Sequence, residues 1–386
     1  MELLSQYSPM LQNLVREMEN TVPYAAAWVQ DTLGERLWLD SREARAEALP
    51  RQRGVVLTVF TGRSFLEYAL NGLDTSDFCQ RLTAGAAALV AAALEEGIIP
   101  QGIGIDPGTP QEKIFSVPMQ ISPKQVSLSE KMARLREVRD DLQRREARSV
   151  NVLAAYTHVQ VCELFINRQR VLYQELPRTQ MVVQLVLRQG DKTTKLHGGH
   201  CYQGGLEHAV FSESERQRLV RDAGRILGAP RLAPGTYDCV FSPEFAGIFA
   251  HEAFGHGTEA DLFLQRRSRG QEYLGQQVAS PLVDLYDSPA LPGQAASYFF
   301  DHEGKMAEPT KIIAQGILQR PLTNLYAALR TGLKRSANGR RESYACKIYA
   351  RMSNTYFGPG THDLQDMLAD IDSGFFLDHP SNGMED

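Results

Sequence analysis

Ser242-Pro243-Glu244-Phe245-Ala246-Gly247-Ile248-Phe249-Ala250-His251-Glu252-Ala253-Phe254-Gly255-His256-Gly257 decides how this chain is read. Ser242 suits a helix N-cap, Pro243 the first helical position and Glu244 the positive end of the dipole. Phe245, Ile248 and Phe249 recur at helical spacing, with Glu252 and His256 continuing the same side. His251 and His256 supply two neutral nitrogen donors and Glu252 a base between them, the donor set of a zinc hydrolase. The second imidazole stands at i+5, not at the i+4 of the common His-Glu-x-x-His pattern. On an ideal helix the two rings would point about 140° apart. To share a metal they need a π-type turn or a helix end between them, and Gly255 and Gly257 are the places for it. The alternative is a helix terminus carrying two unrelated histidines.

Working outward, residues 237–241 read as a buried strand feeding the helix. Downstream, 298–300, 310–313 and the 354–357 region read as short strands between Gly/Pro turns. This predicts a mostly β, barrel-like C-terminal domain over 229–386 carrying the metal-binding helix. A linker over 229–235, with Pro230 and Pro234, separates it from an N-terminal domain over 1–228.

The first half predicts helices and antiparallel strands, so the fold class is α+β. Helices are expected over 6–18, 74–96 (Asp74 or Thr75 as cap, Gly97 as stop), 127–145 and 212–227. Ser127/Glu130 and Ser212/Glu215 have capping-box spacing. Strands are expected over 24–30, 36–40, 55–60 and 65–70. A second set, over 150–156, 159–167, 169–174, 180–188 and 193–197, suggests a meander. The glycine-rich 102–108 reads as a turn and not a phosphate loop.

The chain has 386 residues and a formal charge of −5, which gives no reason to expect nucleic acid or an anionic membrane as partner. Five cysteines without a Cys-x-x-Cys suggest reduced thiols and a cytoplasmic location. The N-terminus shows no export-signal pattern, and the alanine-rich 85–94 is too short to span a bilayer.

Residues 251–261, His-Glu-Ala-Phe-Gly-His-Gly-Thr-Glu-Ala-Asp, resemble the signature of the TldD/PmbA metallopeptidase family on the TldD side. Asn338-Gly339-Arg340-Arg341-Glu342-Ser343-Tyr344, Arg351-Met352-Ser353-Asn354-Thr355-Tyr356 and the acidic turn Phe300-Asp301-His302-Glu303-Gly304 resemble later blocks of that family. The resemblance implies a Zn2+-dependent peptidase acting on unfolded or short peptides. His251 and His256 would be its metal ligands and Glu252 its general base. It implies a homodimer, or a heterodimer with a homologous subunit that lacks the metal motif, and an enclosed site. It also implies a cysteine as third ligand beyond residue 356, a place none of the five cysteines occupies. The expectation is therefore a C-terminal domain incomplete at its end. A catalytically silent subunit and a peptide-binding module are the alternatives.

Other ligand-type residues carry weaker readings. His197, His200 and Cys201, with His208 nearby, fall in an apparent hairpin turn. His302, between Asp301 and Glu303, reads as a surface turn, or as a third ligand or a group orienting one. Cys346 reads as packing. Glu259 and Asp261 could orient the histidine rings or be a helix-end carboxylate pair. Arg340 and Arg341 could hold a substrate carboxylate, an internal ion pair being favoured. Residues 351–356 have the strand character needed to hold an extended peptide by backbone bonds.

Overall fold

A computed structural model describes residues 4, 6–99 and 104–380. The turn expected over 102–108 falls partly outside them; its described part, Gly104–Gly108, has neither helix nor strand.

The N-terminal half is one seven-stranded sheet: β1 (Tyr24–Leu39), β2 (Ala44–Phe60), β3 (Phe65–Asn71), β4 (Gln111–Ser116), β5 (Ser149–Asn167), β6 (Arg170–Gln189) and β7 (Lys192–Gln203). The order is β3-β2-β1-β5-β6-β4, with β7 also on β6. Every pairing is antiparallel except β4 with β6. The pairs of short strands expected at 24–40, 150–167 and 169–188 are single long strands. Pro177 lies in the gap between the two strands expected at 169–174 and 180–188. It sits where the neighbour on that flank changes from β4 to β7, and its carbonyl accepts Gly204 N–H at 3.0 Å. An N–H on that side would have no ladder partner, so proline is tolerated. The stretch 196–201, expected as a turn, is paired strand inside β7.

Alternation along β1 explains why both faces are covered. Ala25, Ala27 and Val29 pack under α1 (Ser8–Glu19) and α2 (Phe78–Glu96). Tyr24, Ala26 and Trp28 face the other way, against Phe300 of the C-terminal half. At the far end, α3 (Leu128–Arg145) and α4 (Glu213–Gly228) cover β5, β6 and β7 through Leu135, Leu142, Leu219 and Ala223. Both expected capping boxes are present, at Ser127/Glu130 and Ser212/Glu215. Helix α2 begins at Phe78, later than expected, because Asp74–Asp77 are spent in turns. Gly97 ends it at φ +96°.

The C-terminal half is built of short pieces. β8 (Asp238–Phe241) pairs in parallel with β15 (Gly374–Leu377). β9 (Leu285–Asp287), β10 (Thr310–Ala314), β11 (Ile317–Leu318) and β14 (Thr355–Phe357) form an open sheet ordered β11-β10-β9-β14. β12 (Gly339–Arg340) pairs with β13 (Tyr349–Ala350). Among the described residues these sheets do not close, so the barrel-like expectation is corrected to small open sheets, antiparallel except for β8 with β15, and loops. Residues 298–300 are held by a single bridge, Phe300 to Met306, and not by a strand. The strand before the metal helix is also shallower than expected. In β8 only Val240 is buried, since β15 is its one partner.

What the short strands lack in ladder bonds, buried side chains supply. Gln174 on β6, fully buried, accepts Phe299 N–H at 2.9 Å and donates to Phe300 O at 3.1 Å. Asp301 accepts amides from Glu303, Lys305 and Gly339 at 2.9–3.0 Å. Gly304, at φ +74°, lies where a Cβ would overlap the Phe165 ring of β5.

His158 on β5 is buried, with Nδ1 2.9 Å from Thr179 Oγ1, whose hydroxyl donates to Gly204 O. The ring is therefore a neutral Nδ1–H donor. Burial, with Lys131 adding to it and Glu35 opposing, depresses its pKa to about 4. The unfolded chain takes up a proton near pH 6.5 that the folded chain refuses until about pH 4. Stability from this group is present above that window and is lost as pH falls through it, by on the order of 3 kcal/mol at most. Chemical denaturation of His158→Gln between pH 4 and pH 7 should show a shallower fall than the parent. An equal slope would assign the loss to other groups.

Candidate metal centre

The helix α5 (Pro243–Ala250) starts as its sequence requires: Phe245 N–H donates to Ser242 Oγ at 3.1 Å. Its apolar side is less enclosed than its spacing suggests. Phe245 and Ile248 are half-buried, and Phe249 is 47% exposed.

At His251 the helix widens. Residues His251–Gly255 form a π turn, with His256 N–H donating to His251 O, and His256–Thr258 continue as a 3-10 turn. A bond from i+5 to i places His256 over His251, which the regular helix cannot do. The ring centroids lie 4.7 Å apart at 82°. Gly255 permits the turn: a Cβ there would overlap Met352 Sδ.

Glu259 stands behind His256, its Oε2 3.5 Å from Nδ1. It is 2% exposed, receives Arg351 Nη1 at 2.9 Å, and accepts Met352 N–H at 3.3 Å. Burial pushes its carboxyl above the usual range, against the pull of Arg351 and His256. Glu259 thus faces Nδ1 of His256, leaving Nε2 as the ring nitrogen not engaged by this carboxylate. Asp261 does something else. It opens α6 (Ala260–Leu264) and accepts Ala350 N–H at 3.0 Å, so it braces the chain and touches neither ring.

His251 and Glu252 open onto a cleft of about 690 Å³, walled by Leu291, Gln294 and residues 353–356. β14 is the edge strand of its sheet on this side. Asp287, which no local sequence signal marks, holds that wall. It is completely buried and accepts Ser353 N–H at 2.8 Å, Ser353 Oγ at 2.6 Å, Thr355 Oγ1 at 2.9 Å and Asn338 Nδ2 at 2.7 Å. Its partners lie 51 to 68 residues away, so only the fold reveals it.

Other sequence candidates are placed elsewhere. His302 is a core residue: its Nε2 lies 3.1 Å from Glu163 Oε1, its Nδ1 accepts Arg341 N–H, and its ring lies 4.5 Å from Trp28. A ring that accepts at Nδ1 is neutral, in keeping with the downward push of burial on its pKa. It is thus neither surface turn nor third ligand. Arg341 does form an internal ion pair, at 2.6 Å, but with Glu67 of β3 and not with the adjacent Glu342. His200 bonds to Glu215 and to His208 O. Cys346 lies 3.5 Å from Ser343 Oγ. Among the described residues no His, Cys, Asp or Glu joins His251 and His256 as a converging third donor. The one convergent triple, Glu244, Asp378 and His379, is threaded by Arg218, 3.2 Å from Glu244 and 3.6 Å from Asp378.

Two imidazoles and a carboxylate on a distorted helix, beside a strand-edge cleft in an α+β frame, define the class of a candidate metallohydrolase centre. Residues 234–385 match the PmbA/TldA metallopeptidase C-terminal domain. It is 32% identical over 243 residues to a metalloprotease of Methanothermobacter thermautotrophicus, covering 61% of this chain and 52% of that protein. It is 28% identical over 229 residues to a zinc metalloprotease TldD homolog of Saccharolobus solfataricus, covering 57% and 50%. The chain thus spans about half the length of these curated relatives. In fold it is similar to TldE of Thermococcus kodakarensis: TM-score 0.75 at 15% identity, over 97% of this chain and 84% of that one. No helix among the described residues is long and apolar enough to cross a membrane.

Two outcomes test this geometry. Gly255→Ala should cost roughly 1–3 kcal/mol by crowding Met352. Combined with Met352→Ala, it should cost less than the sum of the two single changes in denaturant melts; strict additivity would mean the π turn does not depend on that contact. Asp287→Ala, which removes the acceptor of four donors, should cost about 2–4 kcal/mol. It should also loosen residues 353–356 in hydrogen exchange.

Proposed function

We propose that this chain carries a zinc-dependent peptidase site in which His251 and His256 hold the metal and Glu252 is the general base. One observation carries the reading: the π turn that brings two imidazoles five positions apart to within 4.7 Å, edge to face, and leaves Glu252 beside His251 on the cleft. The donor chemistry fits. Two imidazoles lie side by side, and a buried carboxylate stands behind one of them, as in sites that bind Zn2+. When bound, the metal would polarise the scissile carbonyl and make water more acidic. Glu252 accepts the proton of the attacking water and passes it to the leaving amine. The β14 edge and the 353–356 wall hold an extended peptide through its backbone, indifferent to most side chains. Unfolded or short peptides are the substrates that fit such a cleft. The names of the relatives, metalloprotease and zinc metalloprotease, support the activity. Residues 1–228 and 229–386 would act as two domains, in the cytoplasm.

Glu252→Gln should keep zinc but lower peptide cleavage by roughly 10²-fold or more, whereas His251→Ala should lose both. Undiminished hydrolysis by the Gln variant removes Glu252 from the chemistry.

One observation favours a second reading. With no third donor among the described residues, the chain would be a silent subunit of a TldD/PmbA-type dimer, beside a homologous partner. The likeness to TldE suits it. Zinc content by elemental analysis, of the chain alone and with such a partner, separates the two: metal only in the pair supports the silent subunit.

A further inference from the structure

Next to the His251–Glu252 cleft lies a second cavity of about 770 Å³. The two share their walls. Leu291 and Gln294 line the first and Ala295 and Ala296 the second. Residues 353–356 line the first, and Arg351 and Met352 the second. A peptide following this wall from Glu252 leads on toward the second cavity.

The second cavity is lined by Arg178, Arg340, Arg341, Lys347 and Arg351, against one acid, Glu342. Arg341 is paired with Glu67 and Arg351 with Glu259. Among the described residues, Arg178, Arg340 and Lys347 form no ion pair, and Arg178 Nε and Arg340 Nε are buried without a hydrogen-bond partner. Arg340 is held over the Tyr298 ring at 4.5 Å, so its guanidinium is fixed in place. Burial lowers the pKa of Arg178, and the Arg340 charge adds to it, while the Glu163 carboxylate opposes both without forming an ion pair with either guanidinium. A buried guanidinium left unpaired is expensive, and structures retain such groups where something binds them. Planar donors in pairs suit a carboxylate.

We propose that Arg178 and Arg340, with Lys347 at the rim, form a subsite for a carboxylate of the bound peptide, so that peptides bearing an acid a few residues from the cut are the preferred ligands. The proposal rests on the peptidase reading for the path the peptide takes. The carboxylate is either the C-terminal one or that of an Asp or Glu side chain.

Binding measured in chelator separates this from the metal chemistry. Fluorescein-labelled pentapeptides with a free C-terminus, with an amidated C-terminus, and amidated with an internal Glu are titrated by anisotropy into the intact protein. The acid-bearing peptides should bind at least tenfold more tightly than the neutral amidated one. Arg340→Met and Arg178→Met should erase that preference, and Arg178→Lys, which keeps the charge and guards against misfolding, should retain part of it. A preference for the free end alone assigns the C-terminal carboxylate; an equal gain from Glu assigns the side chain. Equal binding of all three peptides overturns the proposal. So does a preference that survives both Met variants in folded protein, or one that inorganic phosphate abolishes at concentrations where acetate does not. If zinc never binds yet the preference holds, the subsite stands and the peptidase reading falls. Zinc-dependent cleavage without the preference gives the reverse.

Discussion

Five residues between two imidazoles leave a helix one way to bring them together, and the site is arranged around that constraint. The backbone adds a residue to one turn, so His256 bonds back to His251. The wider turn needs room on its inner side, which Gly255 gives to Met352. Met352 belongs to the segment that continues into the cleft wall, and its own amide is held by Glu259, the carboxylate behind His256. The turn, the wall and the histidine support are therefore one mechanical unit. A change in any of them is felt by the other two.

A second constraint follows from the shortness of the C-terminal strands. Strands of two to five residues satisfy few of their backbone groups, so buried side chains take over. Asp287 does this for 353–355, Asp301 for the 301–305 turn and residue 339, and Gln174 for 299–300. Gln174 belongs to the N-terminal sheet, as do Glu163 and Glu67, the partners of His302 and Arg341. Burial pushes the Glu163 carboxyl upward, but His302, Arg340 and Gln174 outweigh it and keep it ionised. The large sheet thus acts as the polar template on which the loop-rich half is laid, and the docked face is more than an apolar contact.

This division explains what could be read from the chain. The capping boxes, the Gly97 stop and the metal helix start were legible because their signals lie within four residues of one another. The closeness of His251, Glu252 and His256 was legible for the same reason, since the three lie within six residues of one another. The long strands were mistaken for pairs, because Pro177 and the polar stretch near Thr157 resemble breaks until the neighbouring strands are known. Asp287, Glu163 and the true partner of Arg341 were invisible. Their contacts span 51 to 274 residues, and nothing in a local window distinguishes a buried carboxylate from an exposed one. The barrel-like expectation failed similarly, since the number of short strands says nothing about whether the first meets the last.

Buried charge also links the cleft to its neighbour. Along the common wall, Glu259 neutralises Arg351, and Glu67 neutralises Arg341. Each cation that merely holds the structure has its carboxylate. Arg178 and Arg340, less exposed than Arg351, form no direct ion pair among the described residues, and the one carboxylate that acts on both, Glu163, is already bound to His302 and Gln174. Stability alone would favour an apolar pair at these two positions. Under the proposed peptide path from Glu252, a carboxylate of the bound peptide would supply the direct partner these two guanidinium groups lack.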